Sequence, residues 1–302
     1  AVLYDYLHEK MFGYHVLQAD ETPVLVNKDG RPAGSKSYMW VYRTGRIYAD
    51  RQIVLYEYQR TRNASHPREF LKKFSGICVT DGYQVYHTLE DEREDLKIAG
   101  CWSHARRRFD EAVKALPKAK QKDSRAYLAL TMIQAIYREE KQLKELPSPE
   151  RHNRRQLSIR PLVEAYFTWV RENLPKVPQK SKTWEGFNYS LNQEKYLKVF
   201  LDDGEVPMDN NAAEQSIRGF CIGKKNWVMI DTVVGAKSSA IIYSIAETAK
   251  ANNLKPYDYF EYLLTEIPKH LDDTDRGFLD DLLPWSPNLP ANCRKPGKDE
   301  VK

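Results

Sequence analysis

The stretch His15–Val26 reads HVLQADETPVLV and places two acidic residues inside an apolar run. Apolar residues stand on both sides of Asp20 and Glu21 in an alternating pattern that is typical of a half-buried strand. Acidic residues are disfavoured in strands, so carboxylates at this place need a reason. The stretch predicts a strand whose acidic pair has a structural or functional role.

Two runs that follow are rich in aromatic and β-branched residues, which are typical of strands. They are Tyr38–Arg43 and Ile53–Tyr58, and with the first stretch they predict an antiparallel meander. A short helix is expected over Arg68–Phe74. It is followed by a short buried strand over Ile77–Thr80, which ends at Asp81.

Beyond Asp81 the hairpin pattern gives way to strands that alternate with helices. Lys97–Trp102 predicts another strand, and Ser103 is a suitable N-cap for the helix after it. Helical periodicity then dominates from Ala105 to about Phe200, which indicates a helical insertion. Three later helices are predicted: one capped by Asp209 and Asn210 and running to about Cys221, one over Val234–Asn252, and one over Tyr257–Ile267. This order of elements predicts an α/β fold.

Composition excludes several classes of protein. With 302 residues, of which 41% are hydrophobic and 29% charged, the chain can bury a sizeable core and is too apolar to be disordered. No apolar run approaches the roughly 20 residues of a membrane span, and the start has no signal-like segment. The first residue is Ala1, which suggests a fragment that lacks an N-terminal part.

Cysteine spacing bears on the redox compartment. The four cysteines form no Cys-x-x-Cys pair, which argues against a disulfide scaffold and against a self-contained zinc site. They are Cys78, Cys101, Cys221 and Cys293. A reducing cytoplasm fits this usage best.

Positive charge is concentrated in one part of the chain. The net charge is only +5, but residues 97–125 hold nine basic and three acidic side chains. Such a segment could face a polyanion, and it could equally be a solvated helix face, since charge runs usually keep a surface wet.

Residues 208–218 read MDNNAAEQSIR and are followed at 222–227 by IGKKNW. This block closely resembles the Asn-Asn-x-Ala-Glu-x-x-Ile-Arg signature of the insertion sequence 66 family of bacterial DDE transposases. Further stretches resemble family features in the same order: DETP at 20–23, TDGY at 80–83, CWSHARR at 101–107 and LLPW at 282–285. The resemblance spans nearly the whole chain.

The resemblance implies an RNase H-like α/β fold, a mixed sheet flanked by helices with a mainly helical insertion. The implied division is a first part of the core at 1–105, a helical insertion at 106–204, a second part of the core at 205–267 and a C-terminal tail at 268–302. In that fold the sheet gathers Asp20 from the first strand, Asp81 from the fourth and Glu214 from a later helix. The three carboxylates are expected to meet in a single pocket as the catalytic and metal-binding residues.

The implied chemistry is DNA transposition by two divalent ions, Mg²⁺ or Mn²⁺. Two ions about 3.5–4 Å apart stabilise the entering and leaving oxygens of a phosphodiester, and hard cations of this kind prefer carboxylate oxygens. One step would cut the transposon end with water, and the freed 3′-hydroxyl would then attack target DNA. No covalent intermediate between protein and DNA is expected.

The resemblance also implies partners and a location. The partners would be double-stranded DNA, as transposon ends and as target, a second copy of the protein in a homodimer on DNA, and accessory proteins of the mobile element. The protein would act in the bacterial cytoplasm, associated with the nucleoid, and not at a membrane.

Each carboxylate also has a purely structural interpretation. Asp20 could begin a bend, and Asp81 with Gly82 forms a common turn dipeptide. Glu214 stands four residues before Arg218, so the two could form a surface ion pair worth a few tenths of a kcal/mol.

Cys101 and His104 are candidates for two zinc ligands, although no second pair at a suitable spacing exists. The alternative is a buried thiol beside a histidine at the start of a helix. The resemblance includes this block and suggests that it shapes or borders the active site.

Candidate DNA contacts come from the basic residues near the matching blocks and from one indole. Arginine and lysine bind phosphates without base specificity, and an indole can stack on an unpaired base. The candidates are Arg106, Arg107, Arg108, Arg218, Lys224, Lys225 and Trp227, of which Trp227 could instead be a core residue.

Departures from the family pattern leave the acids untouched. Gly219 stands where proline is common, and Met229–Asp231 replaces the usual small residues. Two other functions stay open: a related nuclease that cuts without joining, and a non-catalytic descendant that binds DNA or partner proteins.

Overall fold

The computed structural model describes residues 1–32 and 34–296. The chain divides into two compact units, one formed by residues 1–76 with 212–302 and the other by residues 77–211. They are called the first and the second unit below. Of the predicted tail at 268–302, residues 297–302 lie outside the described part.

Strands and helices follow the chain in this order. The strands are β1 (Val16–Lys28), β2 (Lys36–Thr44), β3 (Val54–Gln59), β4 (Gly76–Val79), β5 (Leu96–Ala99) and β6 (Ile230–Thr232). The helices are α1 (Val2–Met11), α2 (Ser65–Phe70), α3 (Gln84–Glu92), α4 (Trp102–Lys114), α5 (Lys118–Gln121), α6 (Arg125–Gln142), α7 (Ser148–Arg154), α8 (Arg160–Asn173), α9 (Lys182–Asn192), α10 (Glu194–Asp202), α11 (Asn211–Trp227), α12 (Val233–Ala251), α13 (Pro256–Glu266) and α14 (Phe278–Leu282).

The first unit is built on the predicted meander. β2 pairs antiparallel with β1 and with β3, and Val41 lies opposite Asp20 on one side and Tyr56 on the other. The short β6 pairs parallel with the end of β1, from Val26 opposite Ile230. Side chains alternate between the two faces of a strand, so Asp20, Val41 and Tyr56 share one face.

That face packs on α11 and α12. Its apolar side chains, among them Met39 and Val41, form one buried cluster with Ala213, Ile217 and Phe220 of α11. Helix α12 also covers the open edge of β3, because its hydroxyls accept hydrogen bonds from main-chain N–H groups of that strand. Thr248 Oγ1 accepts from Val54 N at 2.9 Å, and Ser244 Oγ accepts from Tyr56 N at 2.7 Å. An exposed strand edge is thereby satisfied within the unit.

The second unit is mainly helical around two short strands. β4 and β5 are neighbours, and Thr80 N donates to the carbonyl of Ala99 at 2.9 Å. The helices pack through buried aromatic side chains of α4, α8 and α9: Trp102, Phe109, Tyr166, Phe167 and Phe187. The packing is close, since a Cβ on Gly186 would lie 2.7 Å from the Phe109 ring.

The predicted α/β class is confirmed, and the helical stretch after Ala105 is present. The predicted N-cap at Ser103 is wrong: Cys101 occupies that position, and the helix already includes Ser103. Helix α11 continues past Cys221 to Trp227, and β6, α3 and α14 were not predicted. The domain boundaries at 105, 204 and 267 stay predictions.

Across the described residues, no helix combines the length and the apolar character that a membrane span requires.

Candidate active site

Asp20 lies within an unbroken strand, so the bend considered from sequence is not formed. The residue is partly buried in β1, opposite Val41. Its Oδ1 accepts a hydrogen bond from the main-chain N–H of Glu21 at 2.8 Å. Asp20 thus occupies the face of the sheet that packs on α11.

The second acid of the pair points to the opposite face. Glu21 lies opposite Trp40, and its nearly buried carboxylate forms an ion pair with Arg62. The alternation of the strand therefore separates the two acids. Glu21 is paired with Arg62, and Asp20 lies on the face that packs on α11, the helix of Glu214.

Glu214 lies in the first turn of α11 with 13% of its side chain exposed. Its Oε2 is 4.0 Å from Nη2 of Arg218, whose side chain is 71% exposed. An ion pair with one exposed partner at this separation contributes a few tenths of a kcal/mol. The ion pair considered from sequence therefore exists, between an exposed arginine and a largely buried glutamate.

Several polar contacts fix α11 against the sheet of the first unit. The Arg43 guanidinium donates to the Ala212 carbonyl at 3.3 Å and to Ser216 Oγ at 3.1 Å. Tyr56 Oη donates to the Ser216 carbonyl at 2.7 Å. Farther along the helix, Thr22 Oγ1 is 3.5 Å from Cys221 Sγ. Asp20 and Glu214 consequently lie on the same side of β1.

Asp81 follows β4 in the second unit and closes a tight turn. Its Oδ1 accepts from Tyr83 N at 2.9 Å, and Gly82 has a φ of +87°. Asp81 and Gly82 therefore do form a turn, as the structural interpretation of these two residues expected. Within residues 77–211, all of which are described, Oδ2 of Asp81 accepts no hydrogen bond. That oxygen remains available as a ligand.

Cys101 and His104 are close together at the start of α4. The Cys101 side chain is 1% exposed, and its Sγ accepts from Asn210 N at 3.2 Å. His104 is one turn further along, with a ring nitrogen within 4.8 Å of Sγ. Within the second unit the thiol thus joins the start of α4 to the Asp-Asn-Asn segment.

Two tyrosines beside these residues were not foreseen from the sequence. Tyr137 of α6 donates to Asp209 Oδ2 at 3.4 Å, and Tyr189 of α9 donates to the main-chain carbonyl of Asp81 at 3.1 Å. Burial raises the pKa of both hydroxyls, so they remain protonated donors. The only sequence signal was their place in helical aromatic patterns, which core residues share.

The arginine run of α4 is exposed, and two of its members rest on those tyrosines. The Arg106 guanidinium lies 5.9 Å from the centre of the Tyr137 ring, and that of Arg108 lies 4.3 Å from the Tyr189 ring. Such contacts orient a guanidinium while its outer edge stays in solvent. Arg107 is exposed between them.

The basic candidates of α11 differ from one another. Arg218 and Lys225 are exposed, whereas Lys224 Nζ donates to the Pro23 carbonyl at 2.7 Å. Trp227 is partly buried, edge-on to Phe220 with ring centres 5.5 Å apart, as the core interpretation expected. Arg46, which was not predicted, binds Gln215 beside Glu214.

The three candidates are of a residue type that suits a hard divalent cation. Asp20, Asp81 and Glu214 each offer carboxylate oxygens, which Mg²⁺ and Mn²⁺ prefer.

Comparison with known proteins gives two family matches. Residues 1–238 match the model described as the transposase IS66 family, and residues 244–285 match the IS66 C-terminal element.

Relatives from Sinorhizobium fredii are similar over most of this chain. Uncharacterized protein y4qI is 29% identical over 94% of the chain and 53% of its own length. Uncharacterized protein y4hP is 25% identical over 94% of the chain and 52% of its own length. Uncharacterized protein y4jD is 27% identical over 77% of the chain and 45% of its own length. The chain thus spans about half the length of these relatives.

Proposed function

Because the chain belongs to the IS66 transposase family, we propose that it holds the catalytic residues of a DDE transposase, which cuts DNA at transposon ends and joins them to a target. The observation that carries this proposal is the family match over residues 1–238, which contains all three acidic blocks. The position of Asp20 and Glu214 on one side of β1 supports it.

Asp20, Asp81 and Glu214 would each supply carboxylate oxygen to Mg²⁺ or Mn²⁺. Two bound ions would stabilise the charge that develops on the entering and leaving oxygens of the phosphodiester. The near-burial of Glu214 and the turn around Asp81 would restrict the rotamers of these side chains before DNA binds. We propose an RNase H-like core for this arrangement, supported by the antiparallel meander β1–β3.

The reaction would proceed in two displacements. Water attacks the phosphorus at the transposon end, the P–O3′ bond breaks, and a 3′-hydroxyl is released. That hydroxyl then attacks a phosphodiester of the target, whose own 3′-oxygen leaves. Neither displacement needs a nucleophile from the protein.

Exposed cations would bind the DNA backbone. On α4 these are Arg106, Arg107 and Arg108, and on α11 they are Arg218 and Lys225, with Lys224 held against β1. The DNA would be double-stranded, as transposon ends and as target. A homodimer on DNA, with accessory proteins of the element, would bring two ends together.

We expect Asp20→Asn, Asp81→Asn and Glu214→Gln each to reduce strand transfer by at least about 10³-fold, because each removes a charged ligand oxygen from the proposed metal site. The measurement is joining of a pre-cut transposon-end oligonucleotide to plasmid in Mg²⁺, with DNA binding measured in parallel. Binding is expected to change little.

A matched control is Glu247→Gln. Glu247 is also a largely buried helical glutamate of the first unit, with Lys250 three residues on. Its variant should join DNA normally. Undiminished joining by any of the three acid variants contradicts the proposal. Efficient nicking without joined product by the unmodified chain would favour the nuclease, and binding without either reaction would favour the non-catalytic descendant.

A further inference from the structure

The turn at Asp81 leaves no spare room. Its Oδ1 accepts from Tyr83 N, and Gly82 adopts the left-handed region at a φ of +87°. A Cβ on Gly82 would lie 2.9 Å from Gln193 Oε1 and 3.2 Å from the Tyr189 hydroxyl. Both neighbours come from the end of α9, more than 100 residues later in the chain.

One hydrogen bond ties this turn to the helix. The Tyr189 hydroxyl donates to the main-chain carbonyl of Asp81 at 3.1 Å. Residue 81 is therefore restrained twice, through its side chain by the N–H of Tyr83 and through its carbonyl by Tyr189.

Helix α9 is itself rigidly placed. Gly186 packs against the Phe109 ring, and Ser190 Oγ is 2.7 Å from the buried Tyr166 hydroxyl. The Arg108 guanidinium covers the Tyr189 ring. The tyrosine thus transmits the position of a packed helix to a surface turn.

We propose that Tyr189 is a positioning residue for Asp81, so that the helical region of the second unit sets the direction of a metal-binding carboxylate. Oδ1 is held in the turn, and Oδ2 is kept available for the cation. This inference rests on the proposed function, in which Asp81 is a metal ligand.

The test compares Tyr189→Phe with Tyr166→Phe. Each removes one hydroxyl that makes a hydrogen bond involving α9. The Tyr166 hydroxyl bonds to Ser190 of α9, whereas the Tyr189 hydroxyl, on α9 itself, bonds to the Asp81 turn. Two quantities are measured with a pre-cut DNA end bound: the Mg²⁺ concentration that gives half-maximal strand transfer, and the affinity for Mn²⁺ by electron paramagnetic resonance. Thermal stability is recorded for both variants.

We expect Tyr189→Phe to weaken Mn²⁺ binding and raise the half-maximal Mg²⁺ concentration about three- to tenfold, with joining largely restored at saturating metal. Tyr166→Phe should lower thermal stability at least as much and leave both metal quantities unchanged. Equal metal dependence in the two variants overturns the inference.

Asp81→Asn separates the two proposals. If Asp81→Asn binds Mn²⁺ and joins DNA like the unmodified protein, the proposed function fails. If it loses both while Tyr189→Phe matches Tyr166→Phe, only the positioning role fails.

Discussion

Glu57 lies opposite Trp40 in β2 and β3, on the face of the sheet that turns away from α11. Its Oε2 is buried and accepts no hydrogen bond from the described residues. Burial, together with the nearby Glu69 carboxylate, raises the pKa of Glu57 to about 7, well above its ordinary value. Glu21, on the same face, has Arg62 as a partner. The two strand glutamates of this face thus differ in their surroundings, because Glu21 pairs with an arginine and Glu57 lies near another carboxylate.

The free energy of unfolding should therefore fall as pH rises through the range between the ordinary glutamate pKa and about 7. Below that range both states hold the proton, and within it only the folded state does, so the unfolded state is favoured progressively. Glu57→Gln should remove this loss, which amounts to up to about 3 kcal/mol. Urea unfolding between pH 4.5 and 8 measures it.

Glu145→Gln is the control, since the Glu145 side chain is exposed and pairs with Lys144. Its stability profile should stay close to that of the unmodified protein. If the free energy of unfolding depends on pH in the same way for Glu57→Gln and the unmodified protein, ionisation of Glu57 does not destabilise the fold.

At the scale of elements, α11 depends on one buried guanidinium. Arg43 is 6% exposed and donates to α11, to the Thr44 carbonyl and to Gln52. Burial lowers the pKa of Arg43 to about 10, which still leaves it charged at neutral pH. The first turn that carries Glu214 is thus attached to β2 by charge-assisted hydrogen bonds.

We expect Arg43→Met to lower the free energy of unfolding by about 2–4 kcal/mol, because hydrogen bonds to a charged group are lost and buried acceptors remain. Amide exchange at 212–217 should accelerate more than exchange in α12. Urea unfolding and hydrogen–deuterium exchange measure the two effects.

Arg43→Lys is the comparison, because it keeps the charge but loses the forked donor geometry. It should be intermediate in both measurements. A change below about 0.5 kcal/mol for Arg43→Met, the range of ordinary surface substitutions, would mean that α11 is held by its apolar face alone.

At the scale of the whole molecule, the net charge of +5 is modest and unevenly distributed. Local clusters of exposed arginine, more than net charge, determine how many phosphates a protein neutralises. On α4, the guanidinium groups of Arg106 and Arg108 lie against tyrosine rings, which restricts their rotation in solvent. This restriction would favour contact with the phosphate backbone of DNA.

Replacing Arg106 and Arg107 by alanine should weaken DNA binding for all sequences and reduce the slope of log K against log salt by about 2, since each lost phosphate contact removes about 0.9. Replacing Lys72 and Lys73 by alanine changes the net charge equally at another exposed place. That variant should keep the slope. Fluorescence anisotropy across a salt series measures both, and equal slopes in the two double variants would contradict a local role for α4.

The sequence by itself determined most of the elements and the acidic blocks, because both depend on neighbouring residues, while β6, α3 and α14 were not predicted from it. Alternation around Asp20 indicates a strand, helical spacing indicates the long helical stretch, and the matched segments locate the candidate acids. Local rules failed at Ser103, where Cys101 takes the cap position. Domain boundaries, metal binding and the roles of the candidate residues are still predictions.

Only the tertiary structure decided which distant groups hold those acids in place. Asp81 and Tyr189 are 108 residues apart, and Arg43 and Ala212 are 169 apart, so no local pattern relates them. The sequence also leaves open which face of the sheet packs on α11. Alternation places Asp20 and Glu21 on opposite faces, but only the packing of α11 shows that Asp20 is on the covered face. These choices follow from the burial of apolar surface, which is non-directional along the chain and becomes specific only when whole elements pack.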